Sequence, residues 1–174
     1  MLSAIVRSFR TRPYIGTWIA DAHVGMDAAL HRVALVVAER EGDWQAWVDE
    51  LRRSTPDVAV MVQRQGEAAT AFAMRVRAKV TELDAEGGLV DAVAFVGGER
   101  FDDQILGSRL LAIRALVSGM VHAGGGRLVL DSGPRSGRAR FAMVALAAAV
   151  ADQVRGTGVS VAHCGKARAL EMVA

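Results

Sequence analysis

The sequence predicts a three-layer α/β sandwich with a mostly parallel sheet of about six strands, and three observations carry the prediction. Short apolar runs alternate along the chain with longer segments whose apolar residues recur at helical spacing. The short runs are apolar at nearly every position, the pattern of strands covered on both faces. Glycines fall at the junctions, where tight strand-to-helix turns need them.

Taken in order, residues 1–12 carry arginines and no acid, and are expected as an N-terminal arm or short helix packed on the domain. Residues 14–20 and His31–Ala38 read as the first two strands, an antiparallel or edge element. Gly42 and Asp43 then open a helix in which Trp44, Trp47, Val48 and Leu51 share a face, with Asp43 as N-cap. Thr55 and Pro56 stop it, because the residue before proline avoids the helical region. Residues 57–63 are the third strand. A helix over 67–84 places Ala69, Phe72, Val76, Val80 and Leu83 on one face and ends at Gly87 and Gly88. Residues 90–96 are a strand. A helix over 102–122 places Leu106, Leu110, Ile113, Val117 and Met120 together and ends at the glycines 124–126. The strand 128–131, a buried helix over 141–151, the strand 159–163 and a short helix over 166–173 complete the chain. Strands joined through helices pair in parallel with right-handed crossovers, so the whole is read as one Rossmann-like domain over residues 1–174.

Composition narrows the function classes. The 21 cationic and 19 acidic side chains leave a net charge of +2, too small an excess for nucleic acid to be an expected partner. The single cysteine, Cys164, excludes an intrachain disulfide and points to a reducing compartment, the cytoplasm. The longest unbroken apolar run, 141–151, is about half of the ~20 residues a bilayer requires, so no transmembrane segment is expected.

Open parallel sheets bind ligands beyond the carboxyl ends of their strands. That rule selects the segments 39–42, 63–66, 97–103, 131–140 and 163–166, each with a glycine and a cation. The segment 131–140 is the best single candidate. Ser132, Gly133, Arg135, Ser136, Gly137 and Arg138 form a glycine-punctuated basic turn at the start of a helix, where backbone N–H groups and guanidinium groups favour an anion. Arg100 and Arg64 are expected to join it if the later strands lie side by side. The alternative is plain: turns need glycine, and loop tips are polar.

No phosphate-binding G-x-x-x-x-G-K-[ST] run, G-x-G-x-x-G fingerprint or G-x-S-x-G elbow occurs. The acids Glu99, Asp102 and Asp103, with Asp131, have the oxygen ligands a divalent cation takes, but two acids in a first turn ordinarily cap a helix, and no metal site is assigned. Adjacent strand residues point to opposite faces, so His163 is badly placed to activate Cys164, which is read as structural. The 141–151 helix lacks a polar face for three turns. That predicts an oligomer, a homodimer with Phe141, Val144, Ala145 and Ala148 at its interface; the bland counterpart is an exposed alanine stripe.

With no nucleophile, base and orienting group assembled, the sequence favours a non-catalytic binding or regulatory module that takes a small anionic ligand, such as a nucleotide or phosphorylated metabolite. A structural or protein-interaction subunit and a metal-assisted phosphoryl-transfer enzyme are the alternatives. No cofactor is named by any motif.

Overall fold

The computed structural model describes residues 31–42, 44–53, 55, 57–97, 103–133 and 137–164. Within them five apolar runs form strands, β1 (His31–Ala38), β2 (Asp57–Val62), β3 (Gly88–Val96), β4 (Gly126–Asp131) and β5 (Val159–Cys164). Four helices lie between them, α1 (Gln45–Leu51), α2 (Ala69–Ala85), α3 (Asp103–His122) and α4 (Arg138–Gln153). The proposed strand 14–20, the arm 1–12, the closing helix 166–173 and the Asp43 cap lie outside the described residues.

The strands pair in the order β2-β1-β3-β4-β5, and every pairing is parallel. All five carboxyl ends therefore open on one rim. The β1 strand is neither antiparallel nor at an edge. It is hydrogen-bonded on both sides, which its side chains permit because Val33 through Ala38 are all buried. The chain steps from β1 to β2 in one direction across the sheet, and from β2 onward in the other. One common hand of crossover then puts α1 on one face and α2, α3 and α4 on the opposite face.

Alternation along the strands feeds these two layers separately. Val33, Leu35, Val37, Val93, Phe95, Leu128 and Leu130 pack with Phe72 and Val76 of α2, Ile113 and Leu116 of α3, and Met143 and Ala147 of α4. Ala34, Val36, Ala38, Ala92, Ala94 and Val96 face the other way, toward Trp47, Val48 and Leu51 of α1. The three-layer α/β arrangement and the roughly six-stranded sheet match the sequence expectation, with five strands among the described residues.

Two helices differ from their predicted faces. In α3 the buried positions are Ser108, Arg109, Ala112, Ile113, Leu116 and Met120, while Leu110 is 41% exposed. The stripe is rotated because Arg109, not Leu110, has partners inside the sheet rim. Over Gln104–His122 this helix is long and apolar enough to cross a membrane by length and composition, but its inner face is packed on the sheet. In α4 only Met143, Ala147, Val150 and Val154 just beyond its end make a buried stripe, whereas Phe141 is 75% exposed and Ala145 and Ala149 are exposed. Alanine lets an outer face stay apolar without a large exposed area, so the run 141–151 does not need burial on all sides.

Candidate functional site

The site begins at the reversal of winding between β1 and β3, where an open sheet parts its carboxyl-end loops and leaves a crevice. Glu39 follows β1 directly. Its carboxylate pairs with the Arg109 guanidinium that enters from α3, and the two side chains are 8% and 2% exposed. The same guanidinium donates to the Val96 carbonyl at the end of β3 (2.8 Å) and to the Asp131 carbonyl at the end of β4 (3.2 Å), with Met143 Sδ at 3.6 Å. One arginine thus ties the ends of three neighbouring strands. An arginine suits this task because its planar fork reaches several acceptors at once.

Asp131 is the second hub. It is 1% exposed. Its Oδ1 accepts the Gly133 N–H at 2.8 Å, and its Oδ2 accepts the Trp47 indole N–H at 3.0 Å. The first bond folds the start of the β4–α4 turn, where Gly133 has φ 64°, a region glycine enters without penalty. The end of β3 lies flush against that turn: a Cβ on Gly97 would stand 2.7 Å from the Asp131 carbonyl oxygen and 2.8 Å from the Gly133 nitrogen.

The turn ends at Gly137 (φ 62°), the N-cap of α4. Among the described residues no side chain caps this helix, and its first turn holds no acid; Arg138 and Arg140 fall in that turn. Within the described residues, the positive end of the helix dipole lacks the first-turn carboxylate that commonly accompanies it. Below the turn, on the α4 side of β5, the His163 imidazole is largely buried, and among the described residues its Nε2 has no hydrogen-bond partner. Burial, with the Arg140 charge as a lesser cause, pushes the imidazole down to about 4 from an ordinary 6.5. Cys164 faces the opposite side, as adjacent strand positions must. Burial and the neighbouring Asp131 hold its thiol well above the usual range, so it is protonated and unreactive.

The predicted site residues are placed unequally. Gly133 and Gly137 bracket the β4–α4 turn, and Arg138 opens α4. Arg135, Ser136 and Arg100 lie outside the described residues. Ser132 is fully buried; its amide and its hydroxyl both donate to the Cys164 carbonyl, at 3.0 and 3.4 Å, so it is turned into the sheet rather than toward a ligand. Arg64 follows β2, three strand positions from β4 and so roughly 14 Å away along the rim. Its loop is braced on itself. Glu67 accepts the Arg64 amide at 3.0 Å and is clamped by Arg75 at 2.7 and 2.8 Å, which holds the Glu67 carboxyl below its usual range. Arg64 shares the rim with the turn but not its immediate surroundings.

Glu39, Trp47 and Arg109 were not foreseen as a set. A signal existed for Arg109: its neighbours three and four residues away on α3 are Ile105, Leu106, Ala112 and Ile113, so no acid on its own helix could pair with it.

No protein-family model matches the chain, and no curated protein matches it. Solved structures share its general chain path. A short-chain dehydrogenase/reductase from Burkholderia xenovorans is 16% identical with a TM-score of 0.49, over 78% of this chain and 74% of that one. Ribose-5-phosphate isomerase from Brucella melitensis 16M is 17% identical with a TM-score of 0.47, over 75% and 66%. A gluconate 5-dehydrogenase from Burkholderia cenocepacia J2315, in complex with NADP and tartrate, is 14% identical with a TM-score of 0.44, over 80% and 71%. The expectation of a non-catalytic binding or regulatory module is corrected here. It rested on the basic glycine turn and on the absence of an assembled catalytic set, whereas these structures are dehydrogenases and an isomerase. The buried charges of this chain come together from segments distant in sequence, which no linear motif records.

Proposed function

We propose that the chain is an enzyme domain that binds a phosphate-bearing ligand of the nucleotide class across the carboxyl end of its sheet, with the phosphate at the turn between β4 and α4. The observation that carries this reading is the buried charged set of Glu39, Arg109 and Asp131 on the rim beside the reversal of winding. A sheet end that serves only as scaffold needs no buried ions, since apolar side chains of similar volume hold it as well or better. Buried and perturbed charges gather instead where a site must be held in one geometry.

Gly133 and Gly137 let the backbone approach an anion closely, and the uncapped start of α4 supplies N–H groups and positive potential. Arg138, with Arg135, Ser136 and Arg100 from the adjoining loops, are the side chains proposed to complete the hold. The reading takes the cytoplasm as the place of work and a homodimer as the working form. The exposed Phe141 on α4 favours the dimer, with Val144, Ala145 and Ala148 beside it.

Isothermal titration of the full chain with NADP, ATP and ribose 5-phosphate tests the binding. At least one is expected to bind, and Arg135→Ala with Arg138→Ala is expected to weaken it by about tenfold or more, as loss of charge-assisted hydrogen bonds implies. Binding by none of the three, or binding indifferent to the double substitution, removes the turn from the account. Turnover followed by phosphorus resonance and nicotinamide absorbance separates an enzyme from a binding protein.

A further inference from the structure

The Asp131 carboxylate joins the start of the β4–α4 turn to α1 on the other side of the sheet. We propose that it is a two-way latch, coupling the position of Gly133, where the β4–α4 turn begins, to the seating of α1 on the opposite side of the sheet. Oδ1 holds the Gly133 N–H of the turn, and Oδ2 holds the indole N–H of Trp47, which is 4% exposed in the layer made by α1. The two contacts lie on one rigid, planar group buried at 1% exposure.

Neither contact can be given up cheaply. A buried carboxylate that loses a donor keeps the full penalty of its desolvation. Nor can the carboxylate slide to follow one partner and keep the other. Its own backbone oxygen is held by Arg109, and the Gly97 backbone is too close to the turn to admit even a methyl group. A displacement of Gly133 must therefore pull on Trp47 or release it. The element at the far end is the one best able to respond: α1 is a single seven-residue helix. Trp47 also contributes to the apolar layer over β1, so its release loosens α1 and with it the connection between β1 and β2. The coupling stands without any ligand. Its use, to carry occupancy of the turn across the sheet, rests on the function proposed above.

Amide hydrogen exchange on the unliganded full chain tests the latch. Trp47→Phe removes the donor and keeps an aromatic ring. It is expected to speed exchange of the Gly133 amide, whose acceptor Asp131 lies 84 residues from Trp47 in sequence, by about tenfold relative to the Leu128 amide in β4. Equal acceleration at Gly133 and Leu128 means general destabilisation and overturns the latch, as does no acceleration at either. If Trp47→Phe does not fold, Gly133→Ala is read in the reverse direction. The strained turn is then expected to shift the Trp47 indole N–H resonance and speed its exchange, while the Trp44 indole stays in place. An unmoved Trp47 resonance overturns the proposal. Neither arm uses a ligand, so failure of the latch and failure of the proposed function are told apart.

Discussion

Arg109 is the residue on which the rim depends. It sits at 2% exposure with its charge answered by Glu39 and two backbone carbonyls. Arg109→Met keeps volume but takes the guanidinium from the buried Glu39 carboxylate, and is expected to lower stability by about 3–5 kcal/mol in urea unfolding. The double variant Arg109→Met with Glu39→Gln should recover part of that loss, because it leaves no uncompensated ion. Equal losses in the single and double variants would show that the pair is not the origin of the effect.

His163 gives a pH dependence whose sign follows from its burial. Its folded-state value of about 4 lies below the ordinary 6.5. Between these values the unfolded chain binds the extra proton and the folded chain does not. Stability from this group is therefore complete above pH 6.5 and declines as the pH falls toward 4. The difference in urea midpoint between the wild type and His163→Asn should change across that window and be flat above it. A difference that is flat throughout would mean that the imidazole is not desolvated.

At the scale of elements, glycines that look alike in the sequence do different work. Gly97 follows β3 where any Cβ would meet backbone atoms of Asp131, Ser132 and Gly133 at 2.7–2.8 Å. Backbone cannot move aside as a side-chain tip can, so Gly97→Ala is expected to cost about 1–3 kcal/mol. Gly107 lies inside α3 with nothing within 4 Å of its missing Cβ. Gly107→Ala should stabilise the protein by about 1 kcal/mol, through the lower backbone entropy of the unfolded chain and better helix propensity. Thermal melts of the two variants should shift in opposite directions. A shared direction would contradict the different packing of the two sites.

The α2 helix shows how far periodicity carries. Of its buried residues, Phe72, Val76 and Leu83 are those its spacing selects, with Val80 packed beside them; Ala73 is buried as well. In α3 the same reasoning chose Leu110 and missed Arg109, because spacing counts apolar residues and cannot see an acceptor waiting on another strand.

For the whole molecule, the open question of assembly lies on the outer face of α4. If Phe141, exposed at 75%, meets a second copy, light scattering after size exclusion should give twice the 18.5 kDa of one chain, and Phe141→Glu should return it to one. A wild-type mass of one chain ends the dimer reading. An alanine-rich stripe then remains as ordinary surface, since folded proteins expose much apolar area in any case.

Sequence alone determined the fold class, the alternation of strand and helix, and the glycine turn before α4, because each of these is written in neighbouring residues. Apolar runs bury wherever they fall, and a positive-φ turn needs its glycine locally. Tertiary structure alone decided the strand order, the interior place of β1, the inward turn of Ser132 and the distance of Arg64 from the β4–α4 turn. It alone also brought Glu39, Trp47, Arg109 and Asp131 into one network. The physical reason is that a buried charge chooses its partners by position in space. Residues 39, 47, 109 and 131 come from four separate elements, so no spacing along the chain encodes their meeting.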